Sequence, residues 1–214
     1  MPIACAAWAT GGCAGPLSAL DPAGPAAGAI GALWWMMLAG SVAILLLVLA
    51  LLALAFVRQG PASARTWIVG GGIAFPLVVL TALLVAGLLV GERILPRDDD
   101  AALRVTARAS QWRWDFGYPG GVASVGVLHI PVGRPVDVEL TSADVIHSFW
   151  VPRLAGKMDA IPGRTNRLRI EAAAPGVYGG VCAEYCGIGH ARHSLRVIAH
   201  DAAGWAAFAG EGAP

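Results

Sequence analysis

Charge is what this 214-residue chain has least of: Lys, Arg, Asp and Glu together make up 14% of it, and the net charge is only +1. The positives are arginines scattered among acids, so no basic stripe of the kind that binds nucleic acid is present. The first thirteen residues hold neither Lys nor Arg, which sets them apart from the basic n-region of an ordinary secretory signal. No internal repeat is found. Cysteine is sparse as well. Its four copies fall into two distant pairs, Cys5 with Cys13 and Cys182 with Cys186. What is abundant is apolar surface: 57% of the chain is hydrophobic, too much for an ordinary soluble protein, so membrane spans are expected.

Residues 1–31 are rich in Ala, Gly and Pro and read as a leader or flexible N-terminal segment. The run Thr10-Gly11-Gly12-Cys13 is an imperfect lipoprotein cleavage box, because the usual leading leucine is a threonine. Two long uncharged stretches follow, at 33–57 and 67–90, within a hairpin spanning 32–91. Each exceeds the roughly 20 residues a helix needs to cross a bilayer. Trp34 and Trp35 open the first and Trp67 the second, as interfacial anchors do. The short link between them carries Arg58 and Arg65 and no acid, whereas the segment before the first span has Asp21 and no base. The positive-inside rule therefore puts the link in the cytoplasm and both termini outside. Gly70–Gly72 and Pro76 are tolerable within a span, where neighbouring helices satisfy freed backbone groups.

Beyond about residue 100 the texture changes. Short runs such as LRVTARA, VGVLHI, RPVDVELT, TNRLRIEA, GVYGGV and HSLRVIAH are separated by Gly, Pro and Asp. Several alternate apolar and polar residues, as half-buried strands do. They predict an all-β domain over 100–200, a sandwich or Greek-key barrel. The tail, 201–214, predicts a short helix turning Trp205 and Phe208 inward.

The chemistry concentrates in VCAEYCGIGHARH, residues 181–193. Its spacing is Cys182-x3-Cys186-x3-His190, and His147 lies upstream in DVIHSFWVP. Two thiolates and two imidazoles suit a soft, redox-capable metal. Gly187 and Gly189 let the loop wrap closely. A zinc site of two Cys and two His is an alternative. Spacing alone leaves binuclear copper, zinc and a Cys182–Cys186 disulfide all open.

Four runs stand in order after the hairpin: QWRWDFGYP, DVIHSFWVP, GKMDAIPGR and PGVYGGVCAEYCGIGH. With both spans, they resemble subunit II of the haem–copper oxidases, the type that carries the binuclear copper A centre. The resemblance implies a membrane α-helical hairpin followed by a cupredoxin-like Greek-key β-barrel facing the periplasm of a bacterial-type inner membrane. It implies His147, Cys182, Cys186 and His190 as copper ligands. Glu184 would give its backbone carbonyl to copper and turn its carboxylate to a magnesium or manganese ion at the interface with subunit I. Trp112 would receive electrons from cytochrome c, with Trp114 nearer the copper. The implied partners are subunit I, other oxidase subunits, cytochrome c and the lipid bilayer. The implied function is electron acceptance for a terminal oxidase, with oxygen reduced at haem in subunit I.

The sequence departs from that family at two places. The family's methionine three residues after the last ligand histidine is His193 here, an axial ligand candidate with a harder donor. Met158 is too distant in sequence to be that methionine displaced. The acid common near the cytoplasmic start of the second span is missing from ASARTW, so no proton-path residue is assigned. In the family, acids near Trp112 dock a basic cytochrome. Here bases and acids balance between residues 92 and 214, and Asp115, Asp144 and Asp159 are candidates by position alone. Three rival readings remain: a copper A subunit of a nitric oxide reductase-like complex, a membrane-anchored copper-binding or assembly protein, and a quinol oxidase subunit without copper. The W-x-W run argues against the second, and the intact cysteines and histidines against the third.

Overall fold

The computed structural model describes residues 12–58, 63–97 and 102–210. Cys5 with the rest of residues 1–11 of the expected leader, the middle of the hairpin link, the acidic run 98–100 and the last four tail residues lie outside the described residues. The chain divides into two compact units, one of Ala32–Arg93 and one of Met1–Gly31 with Ile94–Pro214.

The hairpin unit is helical. Helix α1 runs Pro25–Val57, a π-helical segment Thr66–Ala74, and α2 Phe75–Ile94. Ala and Leu dominate α1, and Pro25 occupies the first helical position, where its missing amide costs nothing. Gly70–Gly72 fall in the π segment, which closes with the Phe75 amide donating to the Gly70 carbonyl. Pro76, with no amide to donate, follows where the wider turn gives way to α-helix. Both helical stretches are long and apolar enough to cross a membrane. They present leucines such as Leu46 and Leu84 outward, which suits hydrocarbon rather than water.

Helix α1 starts eight residues before the expected 33, and residues 12–24 pack on the β domain instead of forming a loose leader. The Ala23 amide donates to the Arg153 carbonyl and the Ala173 amide to the Ala23 carbonyl, at 2.7 and 2.8 Å. Arg153 holds the Asp21 carbonyl at 2.8 Å and its carboxylate at 3.1 Å. A Cβ on Gly24 would sit 2.1 Å from the Glu171 carbonyl oxygen. The small residues that gave this segment the look of a leader are what let it lie so close to the barrel.

The β domain holds ten strands: β1 Leu103–Ser110, β2 Arg113–Gly117, β3 Ala123–Val125, β4 Val127–Pro131, β5 Val136–Ser142, β6 His147–Trp150, β7 Lys157–Ala160, β8 Asn166–Ile170, β9 Gly176–Cys182 and β10 Ser194–His200. They form two five-stranded sheets, ordered β3-β2-β1-β5-β8 and β4-β10-β9-β6-β7. The pairs β1–β5 and β4–β10 are parallel and the rest antiparallel. Alternation decides which face is inside: along β1, Val105, Ala107 and Ala109 are buried while Arg104, Thr106 and Arg108 are exposed. Between the sheets lie Trp114, Phe116, Leu128, Ile130, Leu140 and Phe149. Helix α3, Ala202–Gly210, brings Trp205 and Phe208 against this core, as the tail's pattern predicts. A buried pair, Asp137 with Arg169 at 2.7 Å, ties β5 to β8.

Candidate metal centre

One end of the sheet β10-β9-β6 carries the cluster. His147 is the first residue of β6, and β6 pairs with β9 so that Phe149 faces Cys182. Beyond Cys182 the chain leaves the sheet, makes a single 3-10 turn over His190–Arg192, and returns through His193 into β10. Two hydrogen bonds close the base of this loop: the Cys182 amide to the His193 carbonyl, and the Ala183 amide to the Ser148 carbonyl, both 2.9 Å. Antiparallel pairing thus brings residues 35 and 46 positions apart into one pocket of side chains.

His147, Cys182, Cys186 and His193 are all buried, and their donor atoms lie within 4.8 Å of one another. The two sulfurs are 3.9 Å apart, nearly twice a disulfide bond, and both thiols are free. Nδ1 of His147 is 3.9 Å from the Cys182 sulfur. Nδ1 of His190 and Nδ1 of His193 are each 3.6 Å from the Cys186 sulfur. The Glu184 carbonyl oxygen lies 3.3 Å from the Cys182 sulfur. The Glu184 carboxylate is half exposed and reaches Lys157 at 3.9 Å. Met158, on β7, pairs across from Phe149.

Burial acts on two groups here, favouring a neutral His193 and an un-ionised Cys186 thiol. Burial, then the neighbouring His147, lowers His193 to about 4, so it is neutral at pH 7 with a lone pair to offer. Burial and the adjacent Cys182 raise Cys186 to about 11. A metal cation reverses that penalty by binding the thiolate directly. Buried soft donors of this kind fit copper or zinc and do not fit a hard, oxygen-seeking ion.

Sequence reasoning missed the part played by Asp144 and Gln111. Asp144 Oδ1 accepts the Nε2–H of His147 at 2.8 Å and the Val145 amide at 2.7 Å, and Oδ2 accepts the Gln111 amide at 2.8 Å. Burial pushes this carboxyl up, but the hydrogen bonds from His147 and the two amides outweigh it and hold Asp144 at about 2. The bond also fixes the His147 tautomer, leaving Nδ1 free to face the sulfurs. Asp144 thus buttresses His147 while its side chain stays about one-third exposed at 32%. The other docking candidates are paired too: Asp115 with Arg113 at 2.9 Å, and Asp159 with Lys157 at 3.6 Å. The spacing Asp144-x2-His147 was the available signal; only the fold shows which atoms meet.

Alternation along β2 buries Trp114 and Phe116, while Trp112 stands just before the strand, in the turn that leads into it. Trp114 is fully buried and stacks on His193, with ring centroids 5.4 Å apart. Trp112 is 39% exposed and lies over Gly189 of the ligand loop.

The family described as cytochrome c oxidase subunit II, periplasmic domain, matches residues 121–200. Cytochrome c oxidase subunit 2 of Alkalihalophilus pseudofirmus is 34% identical over 212 residues, covering 88% of this chain and 60% of that protein. Cytochrome c oxidase subunit 2 of Thermostichus vulcanus is 46% identical over 98 residues, covering 46% of this chain and 30% of that one. The crystal structure of the periplasmic domain of subunit II of cytochrome oxidase from Bradyrhizobium japonicum superposes with a TM-score of 0.51 at 29% identity, covering 54% of this chain and 96% of that one. The chain is similar to subunit II of cytochrome c oxidases, and its β domain to their periplasmic domain. The likeness extends through the hairpin as well as the β domain, and the two-sheet domain is cupredoxin-like, as the resemblance implied. The chain spans about 60% and 30% of the length of these two curated relatives.

Proposed function

We propose that this chain is the electron-accepting subunit of a membrane-bound terminal oxidase. It takes electrons from cytochrome c at a binuclear copper centre and passes them to haem in subunit I, where oxygen is reduced. The observation that carries the reading is the pair of free, buried thiols 3.9 Å apart with imidazole nitrogens beside both. Cys182, Cys186, His147 and His190 would hold the metals, with His193 and the Glu184 carbonyl as further donors beside the sulfurs. Five side-chain donors and one carbonyl exceed what a four-coordinate zinc ion uses, which favours two metals over one.

Copper bound here would supply a one-electron store with little rearrangement between its oxidation states. The protein's own contribution is to hold and shield it. Asp144 fixes the His147 ring, Trp114 and Phe149 exclude water behind it, and the closed loop base keeps both sulfurs in place. A rigid, dry site limits the reorganisation that electron transfer requires. Trp112, half out of the surface against the ligand loop, would be where the electron arrives. The half-exposed Glu184 carboxylate is the candidate for a magnesium or manganese ion shared with subunit I.

The two apolar spans and the likeness to a periplasmic domain support a multi-pass anchor in the inner membrane, with the β domain outside. Copper titration of the purified chain tests the reading. Uptake should saturate at two ions per chain with strong visible absorption, and Cys186→Ser should abolish that colour. A colourless chain that takes up one zinc ion would defeat it, and would leave the copper-carrier and nitric oxide reductase-like readings without their metal too.

A further inference from the structure

The ligand loop is shaped around the side chain expected to feed it. A Cβ built on Gly189 would lie 2.2 Å from Cδ2 of Trp112 and 2.6 Å from both Cε2 and Cε3. Ordinary contact begins near 3.4 Å, so the smallest side chain there must drive the indole back by about 1.2 Å. Those three atoms belong to the fused ring system, not to a flexible chain end, so the ring must move as a whole. Gly187 has φ +115°, a conformation that L side chains rarely adopt, and a Cβ there would come 2.9 Å from Nε2 of Gln111 and 3.4 Å from Cζ2 of Trp112. Gln111 then closes the arrangement. Its Nε2 donates to the Cys186 carbonyl at 2.7 Å, and its backbone amide donates to Asp144, which holds His147. Gln111 therefore touches both ligand-bearing loops, and its neighbour Trp112 lies on the backbone between Cys186 and His190.

We infer that Gly189 and Gln111 are positioning residues for electron transfer: the bare Cα of Gly189 gives the Trp112 ring its seat on the ligand loop, and the Gln111 amide locks that seat to Cys186. The inference rests on the proposed electron-accepting role. One electron leaves the donor haem, which rises by one oxidation state, and arrives at the metal site, which falls by one. No bond is made or broken and no proton moves, so the rate depends on how closely the donor-side ring couples to the ligand backbone. Contact through stacked, bonded atoms couples far better than a gap. Neither residue touches the metal donors with its side chain, so both can be altered with the ligand set intact.

The test uses the assembled oxidase with Gly189→Ala, Trp112→Phe, the double variant, and Gln111→Met, which keeps length but cannot donate. Copper content and visible spectrum are measured beside electron uptake from a soluble c-type cytochrome. Gly189→Ala should lower kcat at least several-fold with KM within about twofold and the copper spectrum unchanged. The double variant should be no slower than the slower single variant, because both act on one contact. Gln111→Met should slow uptake and, in the metal-free chain, speed amide hydrogen exchange in the 186–190 loop. Full-rate uptake by copper-loaded Gly189→Ala, or losses that simply multiply in the double variant, would overturn the inference. If Gly189→Ala does not assemble, unchanged uptake and exchange in Gln111→Met overturns it alone. Normal uptake by copper-loaded Trp112→Phe would instead remove Trp112 from the electron's route, and with it the reading on which the inference rests.

Discussion

Replacing Asp144 by Asn tests the most consequential contact that the fold reveals around the cluster. The carboxylate accepts three short hydrogen bonds, from His147 Nε2, Val145 N and Gln111 N, at 2.7–2.8 Å, and a longer one from Ser142 Oγ at 3.4 Å. It is held at about 2 against an ordinary 3.8. That difference corresponds to about 2 kcal/mol of preference for the charged form, at 1.36 kcal/mol per pKa unit. With the Asp144 side chain 32% exposed, solvent screening reduces this to about 1–2 kcal/mol. Asparagine keeps one acceptor oxygen but turns an NH2 toward the Gln111 amide, a donor facing a donor. His147, with no exposed side-chain surface, then loses a charged partner. Outer-shell partners of metal-bound histidines are worth about 10–100-fold in metal affinity, which matches the electrostatic figure. Competition against a copper chelator, followed by visible absorption, should show affinity falling by at least about tenfold. The reduction potential should rise, because a negative charge that favoured the more oxidised metal is gone. The sign of the pH effect follows from the depressed carboxyl. Its stabilisation is present above about pH 4 and is lost as pH falls toward 2, so the Asn variant should lack that acid-dependent loss. An Asp144→Asn chain with affinity within twofold of the parent and an unmoved potential would refute this reasoning.

Three further outcomes follow from the same geometry. His193→Met should raise the reduction potential and shift the visible spectrum, since a weaker, softer donor replaces an imidazole; unchanged values in a copper-loaded variant would take His193 out of the metal's environment. In the metal-free chain, His193 is lowered to about 4 from 6.5, so stability of about 3 kcal/mol should be present above pH 6.5 and lost as pH falls toward 4. Thermal melts across that window check it, and His193→Met should flatten the dependence. Gly24→Ala forces a Cβ toward the Glu171 carbonyl and should cost about 1–3 kcal/mol by overpacking, read as a lower melting temperature and faster proteolysis before α1; an unchanged melt would mean the segment does not hold the domain.

The sequence disclosed what depends on local pattern. Alternation found β1, β4, β5, β8, β9 and β10, and uncharged length found both helices. Strands β2, β6 and β7 carry RWDFG, HSFW and KMDA, runs too short and too rich in functional residues for alternation to stand out. Residues 12–24 lacked the hydrophobic signal that marks packed structure, because they pack through backbone hydrogen bonds and missing side chains. The ligand candidates were legible because Cys182, Cys186 and His190 share one short loop, while His147 and His193 needed strand pairing to reach them. Asp144 and Gln111 could be named as polar residues near the site, but which nitrogen and which carbonyl they meet is a property of the fold alone. The same holds for Gly187 and Gly189. Their sequence signature permits a tight loop, and the structure gives the reason in the Trp112 ring lying on it.

Electron paramagnetic resonance of the copper-loaded, singly reduced-by-half site tests the central claim most directly. If Cys182 and Cys186 bridge two metals, the unpaired electron is shared, and the hyperfine pattern should arise from two equivalent copper nuclei with two coppers bound per chain. A pattern from a single copper nucleus, or a silent chain holding one zinc ion, would contradict the account.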